Sequence, residues 1–353
     1  VEESQDVPLL LNFGGGYSTD SKFFSETGAK IPNISGTGAD LDLRGQLGQE
    51  IQSAQAQLTL PRWIMQRAIG TPLSWNVRGV WRNELTQRFG ELRSYGGSIA
   101  ATKQGTSGIF KGWLLAMRYD FRQRNRDEEL VRPAGNSDDV NVSPVATRVS
   151  SIGPVLIIDK RVDRSGQPNP LAPARGWRLE FRSSFAEDFT PLGSNRFTKL
   201  GTSGQHFWSF GNRFRLSNAV RYDHGIPMGG DVLLPEVERF FAGGDVTVRG
   251  FEEDRLATEV IVQEVPPAAG VTQYRVLPAG GNIRFIHNVE LEVIAHRWTS
   301  LSMASALFFD TGLVTNSLDG VQASDLRHSL GVALARLVTP FGSLSAEWAV
   351  PLR

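Results

Sequence analysis

The sequence predicts an all-β protein, a transmembrane antiparallel β-barrel with about fifteen strands in this chain. Three observations predict it. Apolar residues recur with a period of two rather than 3.6, the mark of strands with one greasy and one polar face. The polar phase is unusually charged, which suits a wet lumen better than the surface of a soluble sheet. Aromatic residues fall near many strand ends, as interfacial girdles require.

The alternation is read directly. In 39–47, Ala39, Leu41, Leu43, Gly45 and Leu47 alternate with Asp40, Asp42, Arg44 and Gln46. In 54–60, Ala54, Ala56, Leu58 and Leu60 alternate with Gln55, Gln57 and Thr59, and 73–82, 177–182 and 342–352 repeat the pattern. Such runs place strands at about 8–19, 22–33, 38–50, 52–63, 72–87, 90–104, 109–125, 145–161, 176–189, 197–211, 212–226, 281–297, 299–314, 326–339 and 342–353, with no amphipathic helix. Long connections fall at 126–144, which opens with Arg126 as an exposed loop arginine, at 162–175 and at 227–280. The phase sends Trp75, Leu179, Phe181, Leu216, Leu291, Leu307 and Trp348 to lipid, and Arg78, Glu180, Arg215, Glu290 and Glu347 to the lumen. Girdle aromatics include Phe13, Tyr17, Trp63, Phe189, Trp298 and Trp348. No repeat of 20–50 residues favours a propeller.

Composition narrows the function. The 353 residues hold 37 Lys+Arg and 37 Asp+Glu, so no basic footprint points to nucleic acid. Cysteine is absent, which removes disulfides and thiolate metal sites. Apolar runs are far shorter than the roughly 20 residues of a spanning helix. A mean hydropathy of −0.21 looks soluble, but a membrane barrel shows lipid only every second residue. No secretory signal precedes Val1, so the chain reads as a processed or excised piece.

Enzyme motifs are missing. There is no Gly-x-Ser-x-Gly elbow and no His-Glu-x-x-His, and the five histidines are scattered. Gly14-Gly15-Gly16 lacks the Lys-Ser/Thr of a phosphate-binding loop, and weakens the first strand instead. Asp138-Asp139 reads as a solvated loop tip rather than a calcium site. No cofactor or metal is expected.

The most informative stretch is 239–251, Arg-Phe-Phe-Ala-Gly-Gly-Asp-Val-Thr-Val-Arg-Gly-Phe. Its glycines let the backbone turn tightly and carry one guanidinium, that of Arg249, into a confined place. A guanidinium withdrawn from water needs carboxylate partners, and its planar fork suits them. Two later strands offer acids in the inward phase, Glu290 in 281–297 and Asp310 in Phe308-Phe309-Asp310-Thr311-Gly312.

Val248-Arg249-Gly250-Phe251, the Phe308-x-Asp310-x-Gly312 element, the Gly280-Gly281-Asn282 strand and the Thr339-Pro340-Phe341-Gly342-Ser343-Leu344 hairpin together resemble the outer-membrane assembly barrel superfamily. Its members include BamA- and TamA-type insertases, organelle relatives and two-partner secretion translocators. The passage from Asp159 to Leu179 matches that family more loosely, and a charged strand end followed by a Pro/Gly turn explains it as well. The resemblance implies a 227–280 loop folded into the lumen, with Arg249 locked onto Asp310 and Glu290, beside Val248, Gly250, Phe251, Phe308 and Gly312. It further implies a lateral gate at the first strand, Asn12, Phe13, Gly14, Gly15, Gly16 and Tyr17.

The implied protein sits in the bacterial outer membrane, contacts its lipids, and inserts unfolded β-barrel clients without covalent chemistry. Accessory lipoproteins or periplasmic subunits would assist it, and periplasmic POTRA domains would precede residues 1–353. A secretion pore or the barrel anchor of an exported enzyme are the alternatives. Single-chain bacterial barrels close with an even number of strands, so a sixteenth is expected beyond the run ending at Arg353.

Overall fold

The computed structural model describes residues 9–18, 22–70, 72–86, 90–126, 146–170, 173–187, 193, 195–256, 260–265, 273–297, 302–339 and 342–352. It is all-β. Fifteen antiparallel strands hydrogen-bond in chain order in one sheet, interrupted only by a separate two-stranded ribbon. The strands are β1 (Leu10–Ser18), β2 (Lys22–Ile31), β3 (Asp40–Gly48), β4 (Ile51–Leu60), β5 (Ser74–Thr86), β6 (Gly90–Gln104), β7 (Trp113–Arg126), β8 (Ala146–Asp159), β9 (Gly176–Ala186), β10 (Phe197–Phe210), β11 (Phe214–Pro227), the ribbon strands β12 (Val260–Val265) and β13 (Gln273–Pro278), then β14 (Ile283–Arg297), β15 (Ser302–Thr315), β16 (Arg327–Thr339) and β17 (Gly342–Leu352). The fifteen sequence-predicted runs correspond to the fifteen strands of the large sheet.

Three features differ from the sequence reading. The run assigned to 52–63 stops at Leu60, and α1 (Arg62–Ile69) follows. Pro61 supplies no ladder N–H and sits at the helix start, while Gly70 at φ 73 closes the last turn, so Trp63 lies on a helix and not at a strand end. The 227–280 connection contains the β12–β13 ribbon, too short to show a clear period. Arg126 is buried in the last position of β7, paired across to Leu92, and is not a loop residue. Asp138, Asp139, Phe189 and Trp298 lie outside the described residues.

The chain forms two compact units. The first comprises Val1–Glu128, Pro144–Leu156 and Ser184–Arg196; the second comprises Glu129–Ser143, Ile157–Ser183 and Phe197–Arg353. In the first, residue pairing strings Leu11, Ala29, Leu43, Ala56, Gly79, Gly97 and Phe121 along one face of β1–β7. The opposite face carries Arg44, Gln55 and Arg78, with Arg78 donating to Gln55 Oε1 at 2.8 Å.

In the second unit, Leu216, Leu291, Leu307, Val332 and Trp348 are successive cross-strand partners on one face of β11 and β14–β17. Leu307 is 56% exposed and Trp348 64%. The other face bears Arg215, Glu292, Ala306, Ala333 and Glu347 in one row. An apolar face turned outward against a charged, covered face inverts the pattern of a soluble sheet. Trp75, Leu179 and Leu216, placed by phase on the apolar side, are half-buried.

These faces set an expected outcome. Leu307→Arg, at the middle of β15, should destabilise the chain folded in lipid vesicles by about 2–4 kcal/mol, read by guanidinium unfolding. Ser317→Arg, beyond the strand end, should change it little.

Candidate functional site: an arginine clamp beneath the β11–β14 loop

The second unit builds its site from residues 239–256. Ala242 pairs with Leu256 and Phe240 with Gly281, closing the base of a tight loop. Gly243 adopts φ 114, where a Cβ would stand 2.1 Å from the Glu252 carbonyl oxygen, so only glycine fits. Thr247 accepts from the Gly243 N–H at 2.8 Å and donates to its carbonyl at 2.6 Å. Gly244 N–H donates to the Phe251 carbonyl at 2.9 Å. The apolar side of the loop seats Ala242, Val248 and Leu256 on Ile286 and Val314, with Phe251 alongside.

The loop lies close to the strands because the strands have room for it. A Cβ at Gly312 would come within 2.6 Å of Val248 Cγ2. Gly331 opens the space filled by the Phe308 ring, and Gly250 sets its backbone against Ala349 and Val350 of β17. Glycine at these positions is a matter of approach distance.

Arg249 is thereby delivered to a constellation of acids. Its Nε and Nη2 donate to Asp310 Oδ2 and Oδ1 at 2.8 and 2.9 Å, a bidentate pair, and its backbone N–H donates to Oδ2 at 3.1 Å. Nη1 donates to Glu290 Oε2 at 3.1 Å and Glu347 Oε2 at 3.2 Å. The guanidinium carbon lies 3.4 Å from the Phe308 ring centre. Asp310 is fully buried, and Asn288 Nδ2 bridges its Oδ1 (2.9 Å) to the Thr247 carbonyl (2.8 Å). Burial alone would lower the Arg249 pKa, but Asp310 and then Glu290 outweigh it and hold the pKa above the ordinary arginine value.

A second arginine completes the cluster. Arg336 donates through Nη1 and Nη2 to both oxygens of Glu290, and Nη2 donates to Glu347 Oε1 at 2.6 Å. Arg215 donates to Glu292 Oε2 at 2.8 Å. The loop root has its own ties. Arg284 donates to buried Asp223 (2.7 Å) and to the Phe241 carbonyl (2.9 Å), and Lys199 pairs with buried Glu238 at 2.6 Å.

The structure thus brings together Val248, Arg249, Gly250, Phe251, Glu290, Phe308, Asp310 and Gly312. Sequence reasoning missed Arg336, Asp223, Lys199 and Glu238, and did not assign Glu347 to this cluster. Arg336 has a specific reason. β16 carries a bulge between Ala333 and Ala335, so the side-chain phase flips and strict alternation sends Arg336 to the wrong face. Asn12, Phe13, Gly14, Gly15, Gly16 and Tyr17 lie in the first unit on β1, exposed and paired with β2 in unbroken register. Near Val162, Arg161 pairs with Asp159 at 2.6 Å and Asp163 accepts from Ser165 and Gln167, which a strand end and polar turn account for fully.

Removing one partner of a buried pair costs more than the pair is worth, because the other charge is stranded. Arg249→Ala should therefore destabilise the folded chain by on the order of 3–5 kcal/mol, measured by chemical unfolding in detergent. Glu347→Gln, whose side chain is 28% exposed against 15% for Arg249 and which is still a hydrogen-bond acceptor, should cost less. Arg67→Ala on the exposed face of α1 should cost almost nothing.

Comparison with known proteins identifies the family of the fold. Residues 33–353 match the Omp85 superfamily domain. The fold resembles BamA from Haemophilus ducreyi, in a crystal structure lacking POTRA domains 1-3, at TM-score 0.72 and 16% identity over 98% of this chain and 67% of that one. It resembles CdiB from Escherichia coli at TM-score 0.60 and 14% identity over 98% and 59% of the two chains. The chain spans about three fifths to two thirds of the length of these structures. The chain belongs to the Omp85 superfamily, β-barrel proteins of the bacterial outer membrane.

Proposed function

We propose that the protein inserts client β-barrels into the outer membrane, using β1 as a template edge. One observation carries this reading. β1 pairs with β2 alone among the described residues, and three successive glycines, Gly14 to Gly16, leave it with little side-chain packing on either face. A strand edge of unsatisfied N–H and C=O groups recruits another strand by backbone pairing. Asn12 to Tyr17 form the lateral gate in this reading. The Arg249 clamp acts as a lock, because its ligands come from β14, β15 and β17, and Arg336 of β16 shares two of them. Loop position and the last four strands are coupled through one guanidinium. Partners of this function are outer-membrane lipids and unfolded barrel clients, with accessory lipoproteins or periplasmic subunits assisting.

The likeness to CdiB keeps a second reading in view, a polypeptide secretion pore. Vesicles containing the full chain should accelerate folding of an added unfolded barrel, scored by its heat-modifiable gel migration. Gly14→Val/Gly15→Val/Gly16→Val should abolish most of that acceleration while leaving the chain folded. Passage of an unfolded polypeptide into the vesicle lumen, without faster client folding, would favour the pore.

A further inference from the structure

In the first unit, the connections after β2, β4 and β6 leave the sheet at the same end, as antiparallel pairing dictates. Their side chains share an unusual character. α1, in the β4–β5 connection, exposes Trp63 (52%) and Ile69 (57%), and the turn before β7 exposes Ile109 (78%) and Phe110 (56%). Arg62, Arg67, Lys103 and Lys111 stand exposed among them. The stretches 32–39, 61–73 and 103–112 contain no acid at all. The short connections at the opposite strand ends, 19–21, 49–50 and 87–89, hold Asp20, Glu50 and Arg88 instead. The two apolar groups are anchored. The Trp63 indole lies against Gly38 of the β2–β3 connection, where a Cβ would stand 3.2 Å from Nε1. Phe110 packs edge-on to Trp113 with ring centres 5.6 Å apart.

We propose that this end of the first unit is a collar that binds the phosphate headgroups of anionic glycerophospholipids. The inference rests on the membrane location of the family and not on the insertase reading. Two physical arguments select this occupant. The collar continues the outward apolar face of β2–β7, which already meets lipid, so its exposed aromatics reach the interface where acyl chains give way to headgroups. Its charge is net positive, since the acid at its edge, Asp40 of β3, is already tied to Lys30 at 3.6 Å and accepts from the Asn33 N–H at 3.0 Å, and cations held at that depth attract anionic headgroups. A short amphipathic helix lying beside the strands, with an aromatic on its first turn and arginines at both ends, is suited to that zone.

The test uses the full chain in detergent, titrated with phosphatidylglycerol, phosphatidylcholine or lipid A, with retained lipids counted by native mass spectrometry. The expected result is retention of phosphatidylglycerol over phosphatidylcholine by roughly tenfold. Arg62→Gln/Arg67→Gln/Lys103→Gln/Lys111→Gln should bring that ratio close to one. A second variant, Arg62→Lys/Arg67→Lys, should keep it. Both variants are checked for folding by heat-modifiable migration, and their substitutions lie outside the strand interiors. Equal retention of the two phospholipids would overturn the proposal. So would an undiminished preference in the quadruple Gln variant, or stronger retention of lipid A than of phosphatidylglycerol.

Discussion

A guanidinium removed from water must find carboxylates, and much of the second unit is arranged to satisfy that one demand. Arg249 is only 15% exposed, and its nearest acid, Asp310, is fully buried. A carboxylate that deep could not stay charged alone. Neither group is stable there without the other, so the loop and the strand require each other. The glycines follow from the same demand. Gly243 turns the chain, Gly312 lets Val248 descend, and Gly331 admits the Phe308 ring on which the guanidinium rests.

The arrangement is a network. Glu290 and Glu347 each accept from both Arg249 and Arg336. Counting Arg215 and Glu292, three guanidiniums face four carboxylates on one sheet face. Networks of this kind favour a single geometry, since the buried members, Asp310 above all, depend on their neighbours for every hydrogen bond. That rigidity gives a physical route by which a loop movement could be felt along four consecutive strands, from β14 to β17.

Much of this is legible in the sequence. A side-chain period of two is a strong signal when one face meets lipid, so the residue pattern alone marks all fifteen strands of the large sheet and separates Leu307 from Phe308 and Asp310. Arg249, Glu290 and Asp310 can be paired because the resemblance of 248–251 and 308–312 to the family implies the lock, and the strand phase and the needs of a buried guanidinium agree with it. What escapes the pattern does so for local reasons. The bulge in β16 reverses the phase at Arg336. α1 is eight residues long and sits directly after a strand, so one Pro and one Gly are its only punctuation. Arg126 ends a strand that runs one residue further than its apolar alternation. Lys199 and Glu238 are far apart in sequence, and nothing short of the folded loop brings them together.

The most direct measurement is a double-mutant cycle between Arg249 and Asp310. Unfolding free energies would be obtained for the parent, Arg249→Ala, Asp310→Ala and the double variant under one set of detergent conditions. If the loop is held by this pair, the double variant should be far less destabilised than the sum of the singles, with a coupling energy of about 1.5–3 kcal/mol. Additive effects, within about 0.5 kcal/mol, would mean that the two groups merely sit side by side and that something else fixes the loop.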